Sequence, residues 1–475
     1  MHFSPRDYQR ALRDFALDAP RCQWWAGTGV GKTASALELA CTLLLLGEVR
    51  HVLVVSTKRI AKMVWDREIA KWSNFKHLDI AVAVGDQGQR LAAIKKRATI
   101  TTINYDNLDW LAETVGEHWY WDMVIADEST RLKGLRIDMR RSSTGKTFAR
   151  RAGGGKRAFE IAKYAHKCVR RWINMSGTPL PNGLIDLWGQ AWYIDAGQRL
   201  GRSFSAFKER WFQQVRVGDD PFAFKLEPLY FAEQQIKDAI RDVTITIDAK
   251  DYFDLPPLVS NTVRVTLPHR AYDQYARMEK EYFAEIEGHE IEAVSAGSKS
   301  MKCRQIASGA AYTDDAGNWV AVHDEKLDAV EDIINELSGA SVLVAYYFKS
   351  DLARLQKRLP QGRYFDDNPR TLQAFLDRKF SVLFIHPQSG GHGIDGMQNV
   401  CNNIVVFSQT WDLESLQQVI ERIGPTRQAQ AGMNRPCFVH HVIGEGTIEE
   451  EMCERIETKA SVQDAVKAAM KKRRG

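Results

Sequence analysis

Nowhere in the 475 residues is there a run of about 18 uncharged apolar residues, so no membrane-spanning helix is expected. The N-terminus, Met1-His2-Phe3-Ser4-Pro5-Arg6-Asp7, lacks the apolar core of a signal peptide, which predicts an intracellular protein, cytoplasmic or nucleoid-associated. C-x-x-C spacing is absent too. The cysteines at 22, 41, 168, 303, 401, 437 and 453 are scattered and odd in number, which argues against a disulfide framework or a structural zinc and predicts core thiols. No carboxylate–lysine cluster of a nuclease stands out. Net charge is small as well: 65 Lys and Arg against 60 Asp and Glu leave +5, so any polyanion contact must come from where the cations sit.

What is present begins with size. A chain this long exceeds one ordinary core and predicts two to four domains of a globular protein. The stretch Gln23 to Thr33 reads Gln-Trp-Trp-Ala-Gly-Thr-Gly-Val-Gly-Lys-Thr and fits a phosphate-binding loop. Gly27, Gly29 and Gly31 let backbone N–H groups turn onto phosphate oxygens, with Ala26, Thr28 and Val30 between them. Lys32 adds a point charge and Thr33 can hold Mg²⁺. An apolar helix predicted over Ala34–Leu46 would direct its dipole at the anion. Thr144-Gly145-Lys146-Thr147 also ends in Gly-Lys-Thr, but no apolar strand precedes it and it lies in a basic, polar run, so it is rejected.

Apolar runs at His51–Ser56, Ile80–Val84, Ala98–Ile103, Met123–Ala126 and Trp172–Met175 alternate with helical segments, which predicts a parallel sheet with ligands at the carboxyl ends of its strands. Met123–Ala126 delivers Asp127-Glu128 at its end. Paired carboxylates there suit separate tasks, Asp127 holding a metal and Glu128 orienting or deprotonating water. From Ser129 to Arg171 the chain carries 14 Lys or Arg, among them Arg131 and Lys133, against Asp138 and Glu160. Such a cluster can release counterions from nucleic acid, or it can be a solvated insertion. Trp188, Trp192, Phe204, Phe207, Trp211 and Phe212 could stack on bases, but their helical spacing favours core packing. A second α/β pattern starts near Lys326, with helix 327–337, strand 342–347, helix 350–359, and strands at 382–385, 404–407 and 437–442. It has no coherent phosphate loop of its own.

In this order the motifs resemble the Swi/Snf-type branch of the superfamily-two helicases and translocases. Arg6-Asp7-Tyr8-Gln9 looks like the adenine-reading Q motif, and Ala26–Thr33 like motif I. Val52–Lys58 with Trp65 and Trp72 is similar to motif Ia, and Ile100–Tyr105 to Ib. Asp127-Glu128-Ser129-Thr130 is similar to motif II, and Ser176-Gly177-Thr178-Pro179 to III. The stretch from Lys326 through Val342–Leu359 resembles motif IV, Gly390–Asp395 motif V, and Gln418–Gln428 motif VI. Two departures stand out. Motif II ends in Ser-Thr where the family has a histidine that links it to motif III, so hydroxyls would have to substitute. Pro425 sits where the second motif VI arginine is expected, leaving Arg422 and Arg427 as alternatives for the arginine finger.

The resemblance implies two RecA-like lobes in tandem, with a helical insertion after motif III. The expected limits are 1–183 for a nucleotide-binding lobe with a basic insertion at 129–171, 184–257 for the helical insertion and linker, and 258–475 for the second lobe. It implies ATP and Mg²⁺ held by Arg6, Gln9, the 26–33 loop, Asp127, Gly393 and Asp395. Ser56, Lys58, Thr102, Asn104, Arg131, Lys133, Gly390, Gly391 and Trp411 would meet nucleic acid, with Ser176, Thr178 and Gln418 coupling the two. The implied function is ATP-dependent translocation on DNA, duplex favoured and RNA open, by a monomeric core. An RNA helicase, the motor subunit of a restriction or defence complex, and a binding module with an inactive ATPase fold are the alternatives.

Overall fold

The structure, a computed structural model, describes residues 2–27, 29–141, 147–180, 183–216, 224–252, 254–281, 283–286, 289–292, 296–366, 368–390 and 395–454. The chain divides into two compact units, 1–252 and 253–458.

In the first unit the β-branched runs form strands β1 (Arg21–Ala26), β2 (Val52–Ser56), β3 (Ile80–Ala83), β4 (Ile100–Asn104), β5 (Met123–Asp127), β6 (Arg171–Ser176) and β7 (Thr244–Ile247). They make one sheet in the order β7-β1-β6-β5-β2-β4-β3, every neighbour parallel. Strands β2, β4, β5 and β6 are buried along their whole length, because helices cover both faces of a parallel sheet. Among those helices are α1 (Asp7–Asp18), α2 (Lys32–Leu45), α3 (Trp65–Lys71) and α4 (Leu187–Asp195). Trp188, Phe207 and Trp211 are fully buried and Phe212 nearly so, while Trp192 and Phe204 pack at the edge of the same core, so these aromatics are packing residues. The segment read as a helical insertion and linker, 184–257, therefore places α4 in this core and β7 in this sheet.

The basic stretch after β5 is ordered into a short 3₁₀ turn, an antiparallel hairpin (Ile137–Arg141 with Thr147–Arg151) and a helix over Lys156–Ala165. The rejected Gly-Lys-Thr at 145–147 falls mostly outside the described residues.

The second unit has strands β8 (Leu258–Val265), β9 (Ser341–Ala345), β10 (Arg363–Tyr364), β11 (Val382–Ile385), β12 (Cys401–Val406) and β13 (Cys437–Gly444). Their order is β8-β13-β12-β9-β11-β10, again all parallel. Helices α5 (Glu325–Glu336), α6 (Leu413–Ile423) and the short α7 (Pro425–Gln430) belong to it. Lys326, fully buried at the start of α5, meets both oxygens of Glu449 at 2.7 and 2.8 Å, and Glu449 also accepts from the Gly444 N–H. This buried ion pair fastens the last described helical turns to α5, and the Gly444 bond ties them to the end of β13. None of the seven cysteines is in a disulfide, and burial pushes the Cys401 thiol up to about 12, so it stays a packing group. No helix among the described residues is long and apolar enough to cross a membrane.

Candidate functional site

Strand β1 ends at Ala26 and the chain turns directly into α2. Gly29 and Gly31 take φ of +88° and +80°, values that side chains on Cβ disfavour. Gly31 caps α2 in the left-handed conformation, and a Cβ there would lie 2.3 Å from the Gln9 amide nitrogen. Glycine is required on both grounds. Lys32 opens the helix and donates from Nζ to the carbonyls of Ala26 (2.7 Å) and Gly27 (3.0 Å). Its ammonium thus lies across the mouth of the loop, at the positive end of a 14-residue helix. Thr33 follows, partly exposed, and Thr28 is outside the described residues.

Gln9 is buried and its amide is engaged on both sides. Oε1 accepts from the Arg6 backbone N–H at 2.9 Å, and Nε2 donates to the Val30 carbonyl at 3.1 Å. The residue expected to read a base therefore also braces the phosphate loop. Arg6 is exposed beside it and reaches the Tyr8 hydroxyl.

Asp127 lies at the carboxyl end of β5. Burial raises its carboxyl above the usual range, and the Lys32 charge, the Trp65 indole and the Glu128 backbone N–H pull in the other direction. Trp65 Nε1 donates to Asp127 Oδ2 at 3.3 Å, and the Tyr105 hydroxyl to the Asp127 carbonyl at 2.9 Å. Glu128 adopts φ +58°, ψ +56°, a left-handed turn directly after Asp127. A cationic loop at a helix N-terminus facing a buried carboxylate suits a triphosphate with its divalent cation. The donor set of Lys32, Thr33 and Asp127 fits that group.

The missing histidine of motif II has a replacement, though not the expected direct one. The Ser129 hydroxyl donates to Gln190 Oε1 at 2.8 Å, and Gln190 Nε2 donates to the Pro179 carbonyl at 2.9 Å. Gln190 lies on α4, and its own carbonyl accepts from Asn174 on β6. Motifs II and III are thus bridged by a glutamine far along the chain, for which the motif spacing gives no signal. Ser176 Oγ accepts from the Thr178 N–H at 3.1 Å; Thr178 Oγ1 is buried with no hydrogen-bond partner among the described residues.

Several positions expected at the nucleic acid turn out to be interior. Ser56 and Thr102 are fully buried, and the Thr102 hydroxyl donates to the Ala61 carbonyl at 2.7 Å. Asn104 is buried and bonded to Asp106 and Asn107. Ser56 and Asn104 close their strands and Thr102 lies mid-strand, and all three are part of the sheet's interior. Lys58 and Arg131 are exposed, and Lys133 is half-buried beside Asp186 at 3.8 Å. Of the 14 cations between 129 and 171, many are spent internally. Lys156, Arg157, Lys163, Arg170 and Arg171 also pair with carboxylates, and Arg136 lies over the Phe204 ring. Arg140, Arg150 and Arg151, on the hairpin, are exposed and pair with no carboxylate among the described residues. Among the described residues, the hairpin carries three of the cations left without a carboxylate, and Arg131 and Lys167 are likewise exposed.

In the second unit, Arg422 is half-buried on α6 and Gln418 is buried on the same helix. Arg427, on α7, donates from NH1 to Asp395 at 3.1 Å. Trp411 is 37% exposed and touches the Ser300 hydroxyl. Gly391 and Gly393 lie outside the described residues, and Gly390 ends the short helical turn Pro387–Gly390.

The fold and the first unit's loop and carboxylates together define a phosphate-loop nucleotide-binding class. No family model matches the chain. It is 46% identical over 473 residues to p41 of Acyrthosiphon pisum secondary endosymbiont phage 1, covering 99% of each chain, and that name states no activity. It is 22% identical over 497 residues to the DNA repair and recombination protein RAD54-like of Gallus gallus, covering 92% of this chain and 63% of the relative, so the chain spans less than two thirds of that protein. Among solved structures, the Sulfolobus solfataricus SWI2/SNF2 ATPase core in complex with dsDNA is 17% identical with a TM-score of 0.44, covering 98% of this chain and 94% of that one. The chain belongs to one family with the phage protein p41.

Proposed function

We propose that the chain hydrolyses ATP, with Mg²⁺, to move along or remodel duplex DNA and the protein–DNA complexes on it. The observation that carries this reading is the facing of Lys32 and the buried Asp127 across the phosphate loop, in a family whose named relatives include DNA repair and recombination proteins. Bound Mg²⁺ would supply charge neutralisation for the β- and γ-phosphates. Loop N–H groups and Lys32 hold the phosphates, Thr33 and Asp127 hold the metal, and Glu128 orients or deprotonates the attacking water. The arginine finger that the motif order implies, Arg422 or Arg427, would neutralise charge in the transition state, an effect worth on the order of 10³–10⁵ in rate in other phosphoryl-transfer enzymes. Arg427 must first leave Asp395 to do so.

The polynucleotide contact in the first unit is the exposed hairpin with Arg140, Arg150 and Arg151, together with Lys58 and Arg131. Duplex DNA is the preferred track on the strength of the family. Contact with it favours the hydrolysing arrangement and makes turnover polynucleotide-dependent by population shift.

The test is phosphate release measured in parallel without nucleic acid and with duplex DNA, single-stranded DNA or RNA. Stimulation by duplex DNA that disappears in Lys32→Ala is expected. Ordinary turnover in Lys32→Ala removes the loop assignment, and stimulation by RNA alone replaces the track.

A further inference from the structure

The helix that follows β2 changes its winding part-way. It starts with α geometry at Lys58–Arg59, residues Ile60–Val64 form a π-turn, and α geometry resumes from Trp65. A π-turn inserts one extra residue into the helical winding, so every side chain after it is rotated relative to those before. Here the rotation delivers a large, fully buried indole to the end of a different strand: Trp65 Nε1 meets Asp127 Oδ2 at 3.3 Å. The turn is itself held in place. A π-turn disturbs the carbonyl ladder, and the Ala61 carbonyl takes its bond from the Thr102 hydroxyl at 2.7 Å, on the fully buried β4. Tyr105, just past β4, fixes the Asp127 backbone at 2.9 Å. Main chain and side chain of one aspartate are therefore each anchored by an aromatic donor from a neighbouring segment.

We propose that Trp65 is a positioning residue for the metal-binding carboxylate. Through its indole N–H, and through the π-turn that aims it, Trp65 holds one oxygen of Asp127 so that the other is presented to Mg²⁺. A carboxylate has two oxygens and a free rotation about χ2; occupying Oδ2 with a fixed donor removes that freedom before the cation arrives. A tryptophan has one donor and no acceptor, so it cannot compete for the cation as a ligand. This inference rests on the nucleotide-site reading above, with Asp127 toward the metal.

The test is equilibrium binding of a fluorescent ADP derivative to the full chain, in excess MgCl₂ and in EDTA, followed by a Mg²⁺ titration. Trp65→Phe keeps an aromatic ring and removes the donor. Its affinity in EDTA is expected to match the wild type, while half-saturating Mg²⁺ rises about fivefold, consistent with the loss of one long hydrogen bond to a charged group. A purely structural role would weaken binding in both media equally. Thr102→Val, which keeps shape and frees the Ala61 carbonyl, is expected to raise half-saturating Mg²⁺ about twofold in the same direction. Wild-type Mg²⁺ dependence in folded Trp65→Phe overturns the proposal. If thermal unfolding shows that Trp65→Phe does not fold, unchanged Mg²⁺ dependence in Thr102→Val overturns it instead. Failure of the underlying site reading looks different: the wild type itself would then show no gain in affinity from Mg²⁺.

Discussion

The hairpin's arginines give the most direct measurement on the polynucleotide contact. The perturbation is Arg140→Gln with Arg150→Gln and Arg151→Gln, three exposed cations that no carboxylate among the described residues neutralises. Each duplex phosphate that a removed arginine no longer neutralises lowers the slope of log K against log[salt] by about 0.9, so three of them lower it by about 2.7. Between about 50 and 200 mM salt, that difference amounts to about 40-fold: the wild type loses about 40 times more affinity than the variant over the range. A control is built into the same stretch. Lys156, Arg157 and Lys163 are equally basic in sequence but already sit beside Asp109 and Glu113, Asp106, and Glu160 respectively. Converting these three to glutamine is expected to change the slope by less than about 1. The assay is fluorescence anisotropy of a labelled duplex titrated with protein at several salt concentrations. A hairpin variant with the wild-type slope, or a larger change in the control, refutes the placement of the contact.

Three further outcomes are expected. Lys326→Met strands the buried Glu449 charge and should lower thermal stability by about 3–5 kcal/mol, with more than half recovered when Glu449→Gln is added; equal loss in both variants refutes the pair's role. Gln190→Met leaves the Ser129 hydroxyl and the Pro179 carbonyl without their bridge, costing about 1–3 kcal/mol of stability and lowering DNA-stimulated turnover more than nucleotide binding; unchanged stimulation refutes the coupling. Burial holds His323 and His441 neutral, with pKa values pushed down to about 4, so their contribution is full above the unfolded value of about 6.5 and is lost as pH falls toward 4. At pH 5 each should cost about 2 kcal/mol, offset in part by the raised carboxyl of Asp351, and hydrogen exchange of β9 and β12, corrected for intrinsic rates, would read it. His323→Gln should remove about half the pH dependence, and strand protection that is the same at pH 7 and 5 refutes the argument.

Much of the core architecture was legible because its signals are local. Runs such as Val52–Ser56 and Val382–Ile385 are apolar on both faces, which is what a helix-covered parallel strand requires, and Gly31-Lys32-Thr33 carries its turn chemistry in three residues. The parts that were not legible depend on long-range pairing. Thr244–Ile247 reads as an ordinary β-prone stretch, and nothing in it says that its neighbour is Gln23–Ala26, more than two hundred residues earlier. The hydroxyl and amide residues Ser56, Thr102 and Asn104 match the motif pattern, yet all three are buried in the sheet. Composition also overstated the basic stretch, since carboxylates that neutralise it, such as Glu48 and Asp106, lie outside it in sequence. The Trp65–Asp127 contact needed the π-turn, a one-residue change of phase invisible to a periodicity of 3.6.

The return of β7 to lie beside β1 has a practical corollary for anyone wishing to isolate the nucleotide-binding half. A fragment ending at residue 183 would keep every phosphate-loop motif and still lose its outermost ribbon. Residues 23–26, with the wholly interior Trp24 and nearly interior Trp25, would then front a bare rim open to pairing with other molecules. Such a piece should precipitate, whereas one carried on to residue 252 retains the cover that keeps this rim to itself.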